Sequence, residues 1–349
     1  MKSTRSFVVA LTRVLLLALA IAPIAEVAAA NAAATSAYKK LTLSKEFYSE
    51  GAAFADFNKD GQLDVVSGPY WYEGPDFTKR HELFTPFVFD PLKYSDNFFA
   101  FTHDFNADGW PDVLVLGFPG VDASWYQNPG VKGGPWRRYV AALPVDNESP
   151  TFGQLLAKGP PSIVCMSAGR IGYFTLEPKD PARPWTFHAV SPVMAGWQRF
   201  THGLGFGDVN GDGKPDIMLA KGRHWPLIDR LLLGDGKGGF APATDLGTAS
   251  DRSYAARLVD LDGDGDLDVV LSNDRPDPSL VYLNDGKGHF TVGSTFGKAE
   301  WPTRNASVAD VNGDGQPDII VANRYGKNPG GNYLCLNRGA GRFDDQCLR

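Results

Sequence analysis

Five short segments of this chain carry oxygen-bearing side chains at alternate positions. They share the pattern Asp-x-Asn/Asp-x-Asp-Gly-x-x-Asp and occupy residues 56–64, 104–112, 208–216, 260–268 and 310–318. Alternate carboxylate and amide oxygens around a glycine turn are how a loop wraps a hard cation such as Ca²⁺. Several carboxylates in one loop also repel one another unless a cation offsets their charge. The pattern therefore indicates calcium binding.

Two other interpretations of these loops are weaker. An EF-hand needs a bidentate Glu at the twelfth loop position and helices on both sides. That position is apolar or Ser in every copy and lies in a strand-like run: Ser67, Val115, Leu219, Leu271 and Val321. Asp and Asn also favour ordinary polar turns, but five copies with one ligand spacing favour a metal.

The loops recur at intervals of about fifty residues, which is typical of a repeat architecture. A further repeat is hidden between the second and third acidic loops. There Gly159 falls on the loop glycine and Ile163-Val164 on the apolar pair that follows each loop. Its four ligand positions hold Gln154, Leu156, Lys158 and Ser162. The sequence thus predicts a third repeat that keeps the backbone and lacks the metal site.

Residues 254–292 show how one repeat is built. Four strand-like segments cover residues 254–260, 267–272, 279–284 and 289–293, and Asp285-Gly286-Lys287-Gly288 suits a hairpin turn. Four antiparallel strands per repeat form one blade of a β-propeller. We therefore predict an all-β propeller of six blades, with seven as the open alternative. The repeats begin near residues 48, 97, 147, 200, 252 and 302.

The two ends of the chain compete for one place in this ring. Residues 40–43 and residues 343–348 are both placed to complete the last blade as its outer strand. Either would leave no long exposed strand edge in the ring. The sequence leaves this choice open.

Residues 1–30 read as a signal peptide, with Lys2, Arg5 and Arg13 followed by an apolar run too short to span a membrane. Residues 31–349 then form one propeller domain with no membrane span, secreted or periplasmic, of unassigned oligomeric state. The net charge of −6 reflects the loop carboxylates. Because the chain has no basic run, nucleic acid is excluded as a partner.

Cysteine usage fits an exported protein. Cys335 and Cys347 flank a Gly-rich turn near the C-terminus, which predicts a disulfide between them. Cys165 lies in an apolar stretch and is expected to be a buried free thiol.

The acidic loops, the apolar pairs after them and the Leu-Asn-x-Gly-x-Gly-x-Phe hairpins resemble the FG-GAP/VCBS repeats of integrin α-subunit propellers and many exported bacterial proteins. The resemblance covers nearly all of residues 50–349. It implies Ca²⁺ at about five sites and says little about activity. The side-chain ligands that it implies are Asp56, Asn58, Asp60, Asp64, Asp104, Asn106, Asp108, Asp112, Asp208, Asn210, Asp212, Asp216, Asp260, Asp262, Asp264, Asp268, Asp310, Asn312, Asp314 and Asp318. It implies backbone carbonyl ligands from Gln62, Trp110, Lys214, Asp266 and Gln316.

Aromatic and basic residues are predicted to gather on the face opposite these loops. The acidic loop joins the first and second strands, so residues before the first and after the second strand meet at the other face. The candidates for ligand binding there are Tyr70, Trp71, Arg199, His202, His224, Trp225, Arg252, Arg275, Arg304 and Arg324. His103, just before the second loop, is a further candidate as a channel residue, base or metal ligand. Packing aromatics and solvated loop residues are the plain alternative for this set.

Two functions follow from this pattern. The first is a non-enzymatic binding or scaffold module, stabilised by Ca²⁺, for a glycan or protein ligand. The second is a carbohydrate-active enzyme, a sugar lyase or dehydratase, because Gly-Pro-Tyr-Trp-Tyr72 and Thr201-His-Gly203 are similar to phrases of aldos-2-ulose dehydratase-like propellers. The chain has no nucleophile motif, which favours the first, and we assign no catalytic residue.

Overall fold

Six antiparallel sheets, each built from consecutive strands, make up the computed structural model of this chain. The structure describes residues 41–193, 199–222, 226–324, 331–343 and 347–348. The predicted signal peptide lies outside these residues. Each sheet runs in chain order, so every strand pairs with its sequence neighbour. This is the propeller arrangement predicted from the repeat, and the prediction of six blades is confirmed.

The first three blades contain four strands each. Blade 1 consists of β1 Ala52–Ala55, β2 Asp64–Ser67, β3 Tyr70–Tyr72 and β4 Arg80–Glu82. Blade 2 consists of β5 Phe99–His103, β6 Asp112–Leu116, β7 Ala123–Gln127 and β8 Arg137–Ala142, with a short 3-10 helix at Gly130–Lys132. Blade 3 consists of β9 Thr151–Gly153, β10 Ser162–Ser167, β11 Arg170–Thr175 and β12 Thr186–Ala189.

The last three blades follow the same plan. Blade 4 consists of β13 Leu204–Gly207, β14 Asp216–Leu219, β15 Leu227–Leu232 and β16 Thr244–Asp251. Blade 5 consists of β17 Ser253–Val259, β18 Asp268–Asn273, β19 Ser279–Asn284 and β20 Phe290–Phe296. Blade 6 consists of β21 Thr303–Ala309, β22 Asp318–Asn323 and β23 Tyr333–Cys335.

The C-terminal segment completes blade 6. Leu334 and Leu348 exchange backbone N–H···O=C hydrogen bonds of 2.7 and 2.8 Å, which places Leu348 beside β23. Residues 41–43 belong to no strand. The Cys335–Cys347 disulfide joins the same two segments, as predicted. Among the described residues, the outer edge of the last blade is therefore held by Leu348 and not by residues 41–43.

Second strands form the core, because each lies between two other strands of its own blade and between two neighbouring blades. Successive residues of a strand point to opposite faces of the sheet. In blade 2, Leu114 and Leu116 pack toward Ile163 and Cys165 of blade 3. Val113 and Val115 pack toward Val66 of blade 1. Such clusters join each pair of successive blades from blade 1 to blade 6, and Cys165 is buried as predicted.

The junction between blades 6 and 1 is less buried than the other five. Phe54 is 66% exposed, whereas its counterparts Phe152 and Phe206 pack against the preceding blade. Ile320 of blade 6 is 38% exposed, whereas Val270 at the same position of blade 5 is fully buried. Blades 1 and 6 carry the first and last repeats. The least buried junction among the described residues therefore lies between the first and last blades of the ring.

Candidate calcium loops and channel cavity

The ninth loop position is a structural carboxylate in all five acidic loops. Asp64, Asp112, Asp216, Asp268 and Asp318 are all fully buried. In the second loop, one Asp112 oxygen accepts the backbone N–H of Phe105 at 3.0 Å. The other accepts the N–H of Asn128, at the end of β7, at 2.8 Å. The side chain therefore ties the start of the loop to the third strand of its blade.

Burial also changes the protonation of this position. It raises the pKa of Asp112 to about 7 and that of Asp268 to about 6, and the backbone donors counter only part of this effect. Burial penalises the charged form of a carboxyl group, and a nearby cation favours it. Asp112 and Asp268 are thus placed where a bound cation would offset the cost of keeping them ionised.

The remaining acidic positions are more exposed and fold the loop around its own backbone. Asp56 accepts the backbone N–H groups of Asp60 and Gly61 at 3.0 and 2.9 Å. Asn58 accepts the N–H of Asp60 as well, at 3.0 Å. The same bonds recur in the loops that begin at Asp104 and Asp208. Side-chain oxygens therefore converge on the inside of each turn.

The loop in blade 5 brings the most carboxylates together. Oxygen atoms of Asp260, Asp262 and Asp268 lie within 4.8 Å of one another, a spacing that one metal ion could bridge. This donor set consists of hard oxygen atoms, which fits Ca²⁺ or Mg²⁺ better than a softer transition metal. Among the described residues no other group of His, Cys, Asp or Glu meets that spacing.

The third repeat replaces ligands with a hydrogen-bond donor. Its loop keeps a glycine with positive φ, Gly159 at 98°. The Gln154 amide donates to the carbonyls of Leu156 and Gly159 at 2.6 and 3.1 Å. In this loop a neutral N–H donor thus occupies the inside of the turn, where the five acidic loops present oxygen atoms. That this loop holds no metal stays a prediction.

Asparagine side chains link the loops of neighbouring blades. Asn128, Asn284 and Asn337 are buried, and each lies at the end of the third strand of its blade or just after it. Their amide groups donate to the carbonyls of the second loop residue in the preceding blade, Phe57, Val209 and Leu261, at 2.9, 2.6 and 2.8 Å. Blade 1 has Gly74 at this position, so it offers no such amide to blade 6.

A cavity of about 460 Å³ lies at the opposite end of the first strands from the acidic loops. It is lined by residues of blades 2 to 6: Phe99, Phe101, Glu148, Ser149, Pro150, Thr151, Gly203, Leu204, Tyr254, Ala255, Arg257, Arg304 and Asn305. These residues lie in or beside the first strands, so the cavity is the mouth of the central channel. Its size falls in the range of small-molecule sites.

Of the predicted ligand-binding residues, Arg304 lines this cavity and His202 is buried behind it. His202 is buried, and its Nε2 lies 2.9 Å from a carboxylate oxygen of Glu148. Its ring centre lies 4.0 Å from that of Tyr254. The Arg304 guanidinium packs over the Tyr254 ring, 4.7 Å from its centre. It also forms an ion pair with Asp274 at 2.8 Å. Tyr254 thus holds a histidine and an arginine on one wall.

The other predicted ligand-binding residues lie apart from this wall. Trp71 stacks on His81 at 4.2 Å and belongs to the core between blades 1 and 2. Tyr70 is covered by Tyr48 and Arg80. His103 packs near Phe105, and burial lowers its pKa.

The basic residues of that set lie in loops around the channel. Arg252 pairs with Asp277 at 3.1 Å, and Arg199 lies 4.0 Å from Asp146. Arg275 donates its backbone N–H to Asp274, and Arg324 is exposed. None of these four lines the cavity. His224 and Trp225 lie outside the described residues.

The most important cavity residue that the sequence analysis did not predict is Arg257. It lies in β17, three residues before the acidic loop of blade 5. The same position holds Ala53, Thr151, Gly205 and Ser307 in four other repeats, and Phe101 in blade 2. A long cation among mostly small residues, in the strand nearest the channel, was the signal in the sequence that could have identified it.

Comparison with known proteins agrees with this architecture. Residues 208–271 and 260–321 match the family model of the FG-GAP-like repeat. Residues 208–321 therefore consist of FG-GAP-like repeats. The matched residues contain the third, fourth and fifth acidic loops, and the predicted resemblance is confirmed there. No curated protein sequence matches the chain.

Solved structures share the fold of this chain at low identity. A Lactobacillus plantarum protein aligns with a TM-score of 0.54 and 13% identity, over 88% of this chain and 86% of its own. An Agrocybe aegerita lectin, described as recognising non-reducing terminal N-acetylglucosamine, aligns with a TM-score of 0.52 and 18% identity, over 84% of this chain and 78% of its own. At these identities the likeness concerns the fold alone.

Proposed function

We propose that this protein is an exported, calcium-stabilised propeller that binds a glycan at the mouth of its central channel. The observation that carries the proposal is the cavity in which aromatic rings lie beside Arg, Asn and Glu side chains, with the buried His202 behind Glu148. Binding sites for small molecules combine such apolar surfaces with a few placed polar groups. In the residues that the structure describes, no helix is long and apolar enough to cross a membrane.

Calcium has a supporting role in this proposal. The five acidic loops would each hold one ion through oxygen atoms, as the family resemblance implies. The convergence of Asp260, Asp262 and Asp268 on one point supports this for blade 5. Because the loops and the cavity lie at opposite ends of the first strands, we assign the ions to stability and not to ligand contact.

The cavity walls suit a sugar better than a purely apolar ligand. The Phe99 and Phe101 rings are stacked, with ring centres 6.4 Å apart and planes within 9° of parallel, and they give the cavity an apolar wall. Glu148, Arg304 and Asn305 supply hydrogen-bonding groups on the same cavity. A sugar presents both an apolar ring face and hydroxyl groups. The glycan proposal depends on these side chains and not on the lectin likeness.

One observation favours a second candidate, a sugar lyase or dehydratase. The buried His202–Glu148 pair, 2.9 Å apart beside the cavity, could transfer a proton to or from a bound sugar. A buried imidazole oriented by a carboxylate is a common acid–base pair in enzymes. This candidate uses the same cavity, so one experiment can separate the two.

The deciding experiment screens the protein on a glycan array in calcium buffer and analyses incubated oligosaccharides by mass spectrometry. We expect a subset of glycans to be retained without chemical change. Tyr254→Leu should weaken retention by about tenfold or more, since it removes the wall that holds His202 and Arg304. Tyr94→Leu is the matched control, because Tyr94 is 58% exposed and does not line the cavity.

Two other outcomes have definite meanings. Product formation that disappears in His202→Gln would replace the binding function with the enzyme. If the folded, calcium-loaded protein neither retains any glycan nor forms a product, both candidates are rejected.

A further inference from the structure

Arg257 brings an unusual charge into the channel cavity. Arg257 is exposed to solvent, and its side chain lines the cavity. Its Nη1 donates to the Ala256 carbonyl at 3.1 Å, and its Nη2 donates to the Asn305 side-chain oxygen at 2.8 Å. A guanidinium has five N–H donors, so these two bonds leave three donors for other acceptors. Both of its partners in the described structure are neutral.

The other charges on this cavity are already paired. Arg304 has Asp274 at 2.8 Å, and Glu148 has His202 at 2.9 Å. Within the described residues no carboxylate lies within ion-pair distance of Arg257. Burial lowers the pKa of its guanidinium, but arginine stays protonated in proteins. Among the described residues, the Arg257 guanidinium on this cavity therefore has neutral hydrogen-bond partners and no carboxylate partner.

We propose that the cavity selects acidic sugars and that Arg257 binds the sugar carboxylate. This inference rests on the proposed function, since it names the class of glycan that the same cavity takes. A planar guanidinium can hold a carboxylate through two parallel hydrogen bonds. The neighbouring Asn305 amide and the Phe99–Phe101 surface would then contact the rest of the sugar ring.

A purely structural role for Arg257 makes a different prediction. Its bond to Asn305 joins β17 of blade 5 to β21 of blade 6, so the residue also braces two blades. A brace of this kind works through neutral acceptors and does not depend on the charge of a ligand. The two roles therefore separate in a measurement that varies only the ligand charge.

The first test uses the unaltered, calcium-loaded protein and a matched pair of ligands. Isothermal titration compares the methyl glycoside of glucuronic acid with its methyl ester, which has the same ring and no charge. A charge-assisted pair should make the acid bind roughly tenfold to a hundredfold more tightly. Added salt should weaken binding of the acid and leave binding of the ester nearly unchanged.

The second test uses variants. Arg257→Gln should bind acid and ester equally, and Arg257→Lys should keep part of the preference, because it keeps the charge without the planar fork. Arg183→Gln is the matched control, since Arg183 is exposed in the loop between β11 and β12 and does not line the cavity. Melting curves of each variant show whether it is folded. If Arg257→Gln does not fold, the ligand pair and salt series on the unaltered protein still decide.

The outcomes distinguish this inference from the function on which it rests. Equal binding of acid and ester by the unaltered protein would overturn the role of Arg257 and leave a neutral glycan as the ligand. Failure to bind any saccharide, acidic or neutral, would overturn the proposed function together with the inference.

Discussion

Acidic residues of one loop have two different structural roles. Asp112 is fully buried and accepts two backbone N–H groups from different parts of its blade. Asp108, four residues earlier, is exposed and accepts the N–H of Trp110 and the amide of Asn106. The first holds the blade together directly. The second has solvent as an alternative partner, so its value depends on the ion that we propose.

Substitution of these two residues should therefore respond differently to calcium. Asp112→Ala leaves two buried donors unsatisfied and should cost about 2–5 kcal/mol of unfolding free energy even in chelator, where no ion contributes. Asp108→Ala should cost under about 1 kcal/mol in chelator and clearly more in calcium. Urea unfolding in both buffers measures each value. Equal costs for Asp108→Ala in the two buffers would mean that its loop binds no ion.

The loops could be predicted from the sequence pattern, whereas the cavity could be predicted only in part. Spacing alone located all five loops, because each is a local pattern read within nine residues. The cavity combines residues from five blades. His202 and Arg304 were found from their place in the repeat, whereas Glu148 and Tyr254 come into contact with them only through the ring. Trp71, predicted for the same face, packs in the core instead because its strand has a blade on each side.

Strands were the most predictable elements. In blade 5 the segment 279–284 was predicted and is observed as Ser279–Asn284, and its three companions differ by at most three residues at either end. Turn glycines, β-branched runs and the repeat all agree there, and such agreement specifies local structure. Completion of blade 6 could not be predicted in this way, since it depends on a contact between Leu334 and Leu348 and on competition with the other end of the chain.

The repeat also supplies an internal control for the packing between blades. Val209 and Val311 occupy the second position of the loops in blades 4 and 6, and their exposed fractions are 1% and 38%. Val209→Ala should cost roughly 1–3 kcal/mol, because it leaves a cavity between blades 4 and 5. Val311→Ala should cost under about 1 kcal/mol, because its face is open to solvent. Denaturant unfolding of the two variants gives the comparison, and equal costs would show that blades 6 and 1 pack as tightly as the other blades.

The whole molecule is a series of blades joined through neighbouring contacts. Apolar clusters connect successive blades from 1 to 6, and Asn side chains add to three of these junctions, while the junction of blades 6 and 1 has exposed apolar side chains. In such a series the stability of each unit is shared with its neighbours. Ions bound in several loops would therefore stabilise the ring as a whole.

Removal of calcium should consequently lower the melting temperature of the entire propeller. With a dissociation constant of about 10⁻⁴–10⁻³ M and roughly 1 mM free Ca²⁺, each site contributes about 0.4–1.4 kcal/mol. Five such sites sum to roughly 2–7 kcal/mol, which corresponds to a fall of about 5 °C or more in excess EGTA. EGTA already saturated with calcium is the control for effects of the chelator itself. An unchanged melting curve in free EGTA would show that the acidic loops stabilise the ring through their own hydrogen bonds, without an ion.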